Sequence, residues 1–126
     1  MQRILVAEDD PVLSMIYEIT LTEAGFDVLL CSDGQEAFDA LKTFSPDLVI
    51  TDHTMPRMSG GDLIRAVRHA LPGAATLMAS AIDPRLLQDD QHADARLEKP
   101  VTPGRLLQTV RELEAAPPRA PDRTLS

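Results

Sequence analysis

Short apolar runs separated by longer amphipathic stretches set the pattern of this chain. Ile4, Leu5, Val6 and Ala7 form the first run, too short for a helix, and it stops at three acids, Glu8, Asp9 and Asp10, before Pro11. Asp10 followed by Pro11 suits a helix cap and first helical position, and the helix it opens carries Val12, Ile16 and Ile19 on one apolar face as far as Gly25. Val28 to Cys31 is a second strand. Asp33-Gly34 opens a helix with Ala37, Leu41 and Phe44 inward, and Ser45-Pro46 turns the chain into Leu48, Val49, Ile50 and Thr51. That run is apolar throughout, as a strand buried on both faces must be, and it delivers Asp52 to the mouth of a loop running through Pro56 to Gly60.

The alternation continues. Gly60-Gly61 leads into a helix with Leu63, Ile64, Val67 and Leu71 inward, closed by Pro72-Gly73, and Thr76 to Ala79 is a fourth strand ending at Ser80. The polar segment from Asp83 to Asp94 allows only a short helix around Arg85 to Gln91. Ala95 to Glu98 is weakly strand-like by composition and is assigned from the alternation, with Lys99-Pro100 as its stop. Thr102-Pro103 caps a last helix bearing Leu106, Leu107, Val110 and Leu113. Residues 1–116 are read as one domain and 117–126 as a Pro-rich, disordered tail.

Strand and helix in strict alternation predict an α/β fold, a doubly wound five-stranded parallel sheet with helices on both faces and a shortened fourth helix. All strands then point one way, and ligands of such sheets bind at the C-terminal edge where strand order reverses. That edge carries Glu8 and Asp9, then Asp52, then Ser80, then Lys99.

Composition narrows the functions. A net charge of -8 with no Trp and one Tyr excludes a basic, aromatic nucleic-acid surface. No apolar stretch approaches membrane-spanning length and the acids after Ala7 interrupt any leader, so the expectation is a cytoplasmic protein, monomer or weak dimer, with no membrane partner. The lone Cys31 is read as a small core residue.

Three carboxylates converging on one spot repel one another unless a cation sits between them. Oxygen ligands without Cys or His suit Mg²⁺, or Mn²⁺, rather than zinc. Such a site fits an acyl phosphate: Asp52 attacks phosphorus in line, while Ser80 and Lys99 bind the phosphoryl oxygens. Taken singly each residue is ordinary, an acid after a strand being most often a cap and Lys99 a solvated charge; their joint placement carries the reading. His53, His69 and His92 show no ligand spacing, and Met55 and Met58 read as packing residues beneath the loop.

The strings ILVAEDD, DLVITDHTMPRMSGGDL, LMASA and LEKP, in this order, strongly resemble the receiver domain of two-component response regulators, over about residues 3–115. The resemblance implies that Asp52 is the phosphoacceptor; that Glu8, Asp9, Asp52 and the backbone carbonyl of Thr54 hold Mg²⁺; and that Ser80 and Lys99 contact the phosphoryl group. It implies strand order 2-1-3-4-5, a cis Lys99-Pro100 bond as an option, and a histidine kinase or histidine phosphotransferase as phosphodonor. The chain would not be an enzyme beyond its own phosphorylation and dephosphorylation.

The sequence also departs from the family. Arg96 stands where the family's switch carries an aromatic residue, and the interval from Ser80 to Lys99 is shorter than usual. Thr54 and Ile82 occupy the positions flanking the hydrolytic water, and Ile82 cannot orient water, so slow self-dephosphorylation is expected. The tail is too short for an output domain, and the signal is expected to leave through binding an unknown downstream protein, a phosphotransferase or a shared kinase. The initiating Met1 and the short tail look natural, and a fragment cut from a hybrid kinase is the alternative. Two rivals remain: a phosphorylation-independent pseudo-receiver, opposed by the intact Glu8-Asp9 pair, Asp52, Ser80 and Lys99 and kept open by Arg96 and the short fourth segment, and a phosphohydrolase of the haloacid dehalogenase type, disfavoured because Thr54 stands where that family needs an acid.

Overall fold

The computed structural model describes residues 2–55, 57–81 and 93–116. Its elements are β1 (Arg3–Ala7), α1 (Pro11–Glu23), β2 (Asp27–Cys31), α2 (Gly34–Phe44), β3 (Leu48–Asp52), α3 (Gly60–Ala70), β4 (Ala75–Ser80), β5 (Ala95–Glu98) and α4 (Pro103–Ala115). The expected short helix around Arg85 to Gln91, Ile82, His92 and the tail lie outside the described residues.

The five strands form one parallel sheet in the order β2-β1-β3-β4-β5, the order expected. Alternation along each strand divides the core in two. Ile4, Val6, Leu48, Ile50, Leu77 and Leu97 pack with α1 and α4 on one face, while Leu5, Ala7 and Val49 pack with Ala37 and Leu41 of α2 and Leu63 and Val67 of α3 on the other. Every residue of β3 is buried, which explains its unbroken apolar run.

Polar side chains fix the element ends. Asp10, Asp33, Ser59 and Thr102 each cap a helix by accepting a backbone N–H of its first turn. β5 enters the sheet through a reciprocal pair: Thr76 N–H and Oγ1 donate to Asp94 Oδ2 at 2.8 and 3.1 Å, and Asp94 N–H donates back to Thr76 Oγ1 at 3.0 Å. This anchoring compensates for the poor strand composition of Ala95 to Glu98.

The inward face of α1 differs from the expected one. Leu13, Tyr17, Thr20 and Leu21 are buried, whereas Val12, Met15 and Ile19 are 67, 59 and 50% exposed. Both sets have helical spacing, and Ile16 packs at the edge of the core. The set containing Tyr17 and two leucines brings more surface into the core, and that burial decides the rotation of the helix.

Candidate phosphoacceptor site

Sheet order reverses between β1 and β3; Glu8 follows the end of β1, and Asp52 ends β3. Ala7 pairs with Thr51, so Glu8 and Asp52 leave adjacent strands at the same level, about 4.8 Å apart in backbone terms. Glu8 is buried, its N–H bonded to the Cys31 carbonyl at 3.0 Å and its Oε2 accepting from Asp10 N–H at 3.1 Å. Asp9 is exposed at the rim. One ligand oxygen from each of Glu8, Asp9 and Asp52 lies within 4.8 Å of the others, and among the described residues this is the one such cluster.

On the other side of Asp52, Ser80 ends β4, buried, in register with Glu98, and its carbonyl accepts from Lys99 N–H at 2.7 Å. The Lys99-Pro100 bond is cis. From there the long Lys99 side chain reaches across β4 to place its ammonium 3.0 Å from Asp52 Oδ2 and 3.5 Å from Glu8 Oε1. Burial works against the Lys99 charge, but the bonds and charges of Asp52 and Glu8 outweigh it and hold the ammonium above its ordinary range.

Burial and, secondarily, the charge of Asp52 push the Glu8 carboxyl up to about 7, against the Asp10 N–H and Lys99, which act the other way. Glu8 Oε1 is buried and accepts no hydrogen bond. A buried carboxylate oxygen whose near neighbour is only the Lys99 ammonium at 3.5 Å, beside two further carboxylates and with no sulfur or imidazole in the set, fits a hard divalent cation.

The loop leaving Asp52 is tightly laid. Thr51 Oγ1 donates to the Asp52 carbonyl at 3.0 Å, His53 N–H to the Ala79 carbonyl at 2.9 Å, and Gly60 N–H to the His53 carbonyl at 3.0 Å. A β-carbon on Gly60 would stand 2.1 Å from the Asp52 carbonyl oxygen, so glycine is required there. Met55 and Met58 pack against the core beneath the loop, as expected. Arg96 is exposed on β5, in register with Met78, and does not occupy a buried aromatic's place.

All the residues expected to form the site thus meet on one edge, except that Thr54 is placed only by its loop. Sequence reasoning missed a partner of that loop: Arg57, whose guanidinium grips Asp33 in the β2–α2 corner. Opposite charges in two loops of the same sheet edge were the available signal.

A sheet of this order with this edge is that of a phosphoryl-receiving signalling domain. The sequence profile of the response regulator receiver domain matches residues 4–111, and the chain belongs to that family. It is 37% identical over 113 residues to the DNA-binding response regulator MtrA of Mycolicibacterium smegmatis, covering 87% of this chain and 49% of that protein. It is 30% identical over 105 residues to the alkaline phosphatase synthesis transcriptional regulatory protein PhoP of Bacillus subtilis, covering 81 and 44%. The chain therefore spans about half the length of these relatives. Among solved structures it resembles the chemotaxis response regulator CheY4 of Vibrio cholerae (TM-score 0.85, 29% identity, 90% of this chain and 98% of that one). It also resembles the response regulator TrrA of Thermotoga maritima in complex with Mg²⁺-BeF (TM-score 0.81, 28% identity, 90 and 99%).

Proposed function

We propose that this receiver domain accepts a phosphoryl group on Asp52 from a phosphohistidine of a histidine kinase or histidine phosphotransferase, and that the modified surface is read by a protein partner. One observation carries the reading: Asp52 is flanked at the sheet edge by two further carboxylates on one side and the Lys99 ammonium on the other. An Asp52 oxygen forms the new bond to phosphorus while the phosphorus–nitrogen bond of the donor breaks, its electron pair returning to the imidazole. Lys99 turns its ammonium from Asp52 toward a phosphoryl oxygen, and the Ser80 hydroxyl, one strand away, takes another. Glu8, Asp9, Asp52 and the Thr54 carbonyl are the groups that would hold Mg²⁺. When bound, that ion neutralises the charge of the incoming phosphoryl group.

The donor approaches beside α1. This helix begins directly after the acidic pair, and its exposed Val12, Met15 and Ile19 form a stripe leading away from the site. The phosphohistidine-bearing surface of the donor, which must come within bonding distance of Asp52, is the occupant we assign to it. The name "DNA-binding" belongs to relatives about twice this length, and we assign no DNA contact to the acidic residues described here.

Beryllofluoride with Mg²⁺ mimics an aspartyl phosphate, and amide NMR on wild type and Asp52→Asn tests the reading. Shifts in wild type alone are expected. Shifts in neither would favour a phosphorylation-independent interaction module.

A further inference from the structure

The loop that leaves Asp52 is fastened to an element outside the phosphoacceptor site. Arg57 lies in that loop with φ of 69°, a left-handed backbone that a β-carbon disfavours. Its Nε donates to Asp33 Oδ2 at 3.1 Å and a terminal nitrogen donates to Asp33 Oδ1 at 3.0 Å. The same carboxylate caps α2, Oδ1 accepting from Glu36 N–H at 2.8 Å. One residue on, a β-carbon at Gly34 would stand 2.4 Å from the Met58 carbonyl oxygen. Two contacts therefore hold residues 57 and 58 against the start of α2, while Gly60 is seated on the carbonyl of Asp52.

We propose that Arg57 and Asp33 are positioning residues for cation binding. By holding the loop between Asp52 and Gly60 against α2, they keep Thr54, whose backbone oxygen is assigned to Mg²⁺, in register with Glu8, Asp9 and Asp52. This rests on the reading of the site given above. An exposed ion pair adds little to stability, but a two-pronged guanidinium bond fixes direction as well as distance. A backbone in the left-handed region persists where its surroundings over-determine it, and here the fork to Asp33 and the close packing on Gly34 do so. The pair's contribution is the shape of the loop.

Two substitutions separate loop geometry from fold stability. Arg57→Gly removes the guanidinium and relieves the backbone; Asp33→Asn keeps a capping oxygen for α2 and loses the charged fork. In an amide NMR titration with Mg²⁺, each is expected to raise the dissociation constant about tenfold, at the low end of what supporting residues around metal ligands contribute. The double variant is expected to lose no more than the worse single one, since both break the same contact. Arg57→Lys recovers part of the loss. The thermal midpoint of Arg57→Gly without Mg²⁺ is expected to stay at the wild-type value, a split that a purely structural ion pair does not give. Wild-type affinity in both single variants, or additive losses in the double, overturns the proposal. A wild type whose amides do not respond to Mg²⁺, or respond equally in Asp52→Asn, overturns the site reading itself and this inference with it.

Discussion

Lys99 Nζ stands 3.0 Å from Asp52 Oδ2 although β4 lies between β3, which ends in Asp52, and β5, which Lys99 directly follows. Backbones two strands apart are about 9.6 Å from one another, a gap that a lysine stem spans and a shorter cation does not. The ammonium therefore occupies a place that a divalent ion's field also reaches. Lys99→Ala is expected to slow phosphorylation of Asp52 by acetyl phosphate by about 100-fold or more, the order lost with one charge-stabilising donor. Mg²⁺ affinity should be retained or improved, because a competing positive charge is gone. Phosphorylated fraction by mass spectrometry and Mg²⁺ titration by NMR check the two arms, and a parallel loss of both would contradict the assignment.

Gly60 offers a steric test. Its missing side chain lets α3 begin against the carbonyl of Asp52, and that neighbour is backbone, so it cannot rotate away. Gly60→Ala is expected to destabilise the domain by about 1–3 kcal/mol in urea unfolding. Amide shifts should concentrate at Asp52 and His53. A variant as stable as wild type would mean that the loop has slack.

Tyr17 is buried among aliphatic residues of the α1–α4 face, and its hydroxyl has no hydrogen-bond partner among the described residues. Burial, with smaller contributions from Glu8 and Asp52, holds the phenol well above its usual range. Tyr17→Phe removes an unsatisfied polar atom and keeps the ring, so a stabilisation of about 1 kcal/mol is expected. Thermal unfolding measures it, and a lowered midpoint would show that the hydroxyl is satisfied in solution.

The acid limb of stability has an identifiable contributor far from the site. Asp47 accepts the N–H groups of Arg3 and Gln2 at 2.9 and 2.7 Å, and these bonds hold its carboxyl below the ordinary range. A carboxyl with a depressed folded pKa contributes stability that is present above its unfolded value, about 3.9, and lost as pH falls through the folded one. Urea unfolding of wild type and Asp47→Asn between pH 2 and 6 should give a difference that is constant above about pH 5 and shrinks on acidification. A difference independent of pH would remove Asp47 from the account.

Much of this was legible in the sequence because its local signals agree. Asp10-Pro11 and Thr102-Pro103 cap helices as written, and the uniform run Leu48 to Thr51 is the strand buried on both faces. The acids and Lys99 could be placed together because parallel topology sends every strand end to one edge. The face of α1 was not legible, since two interleaved apolar sets share helical spacing and only the packing of Tyr17 against the sheet separates them. The Arg57–Asp33 grip was signalled only by opposite charges in two loops of one edge, because the left-handed backbone that aims the guanidinium is not announced by the residue type at Arg57.

The reciprocal bonding of Thr76 and Asp94 also bears on evolution. It returns the chain to the sheet at a fixed point, and β5 then has a fixed number of residues before Lys99. A change of length before residue 93 leaves the number of residues from Asp94 to Lys99 as it is. The reach of the ammonium to Asp52 is thus set from Asp94 onward and is separate from the length of the connection that precedes it.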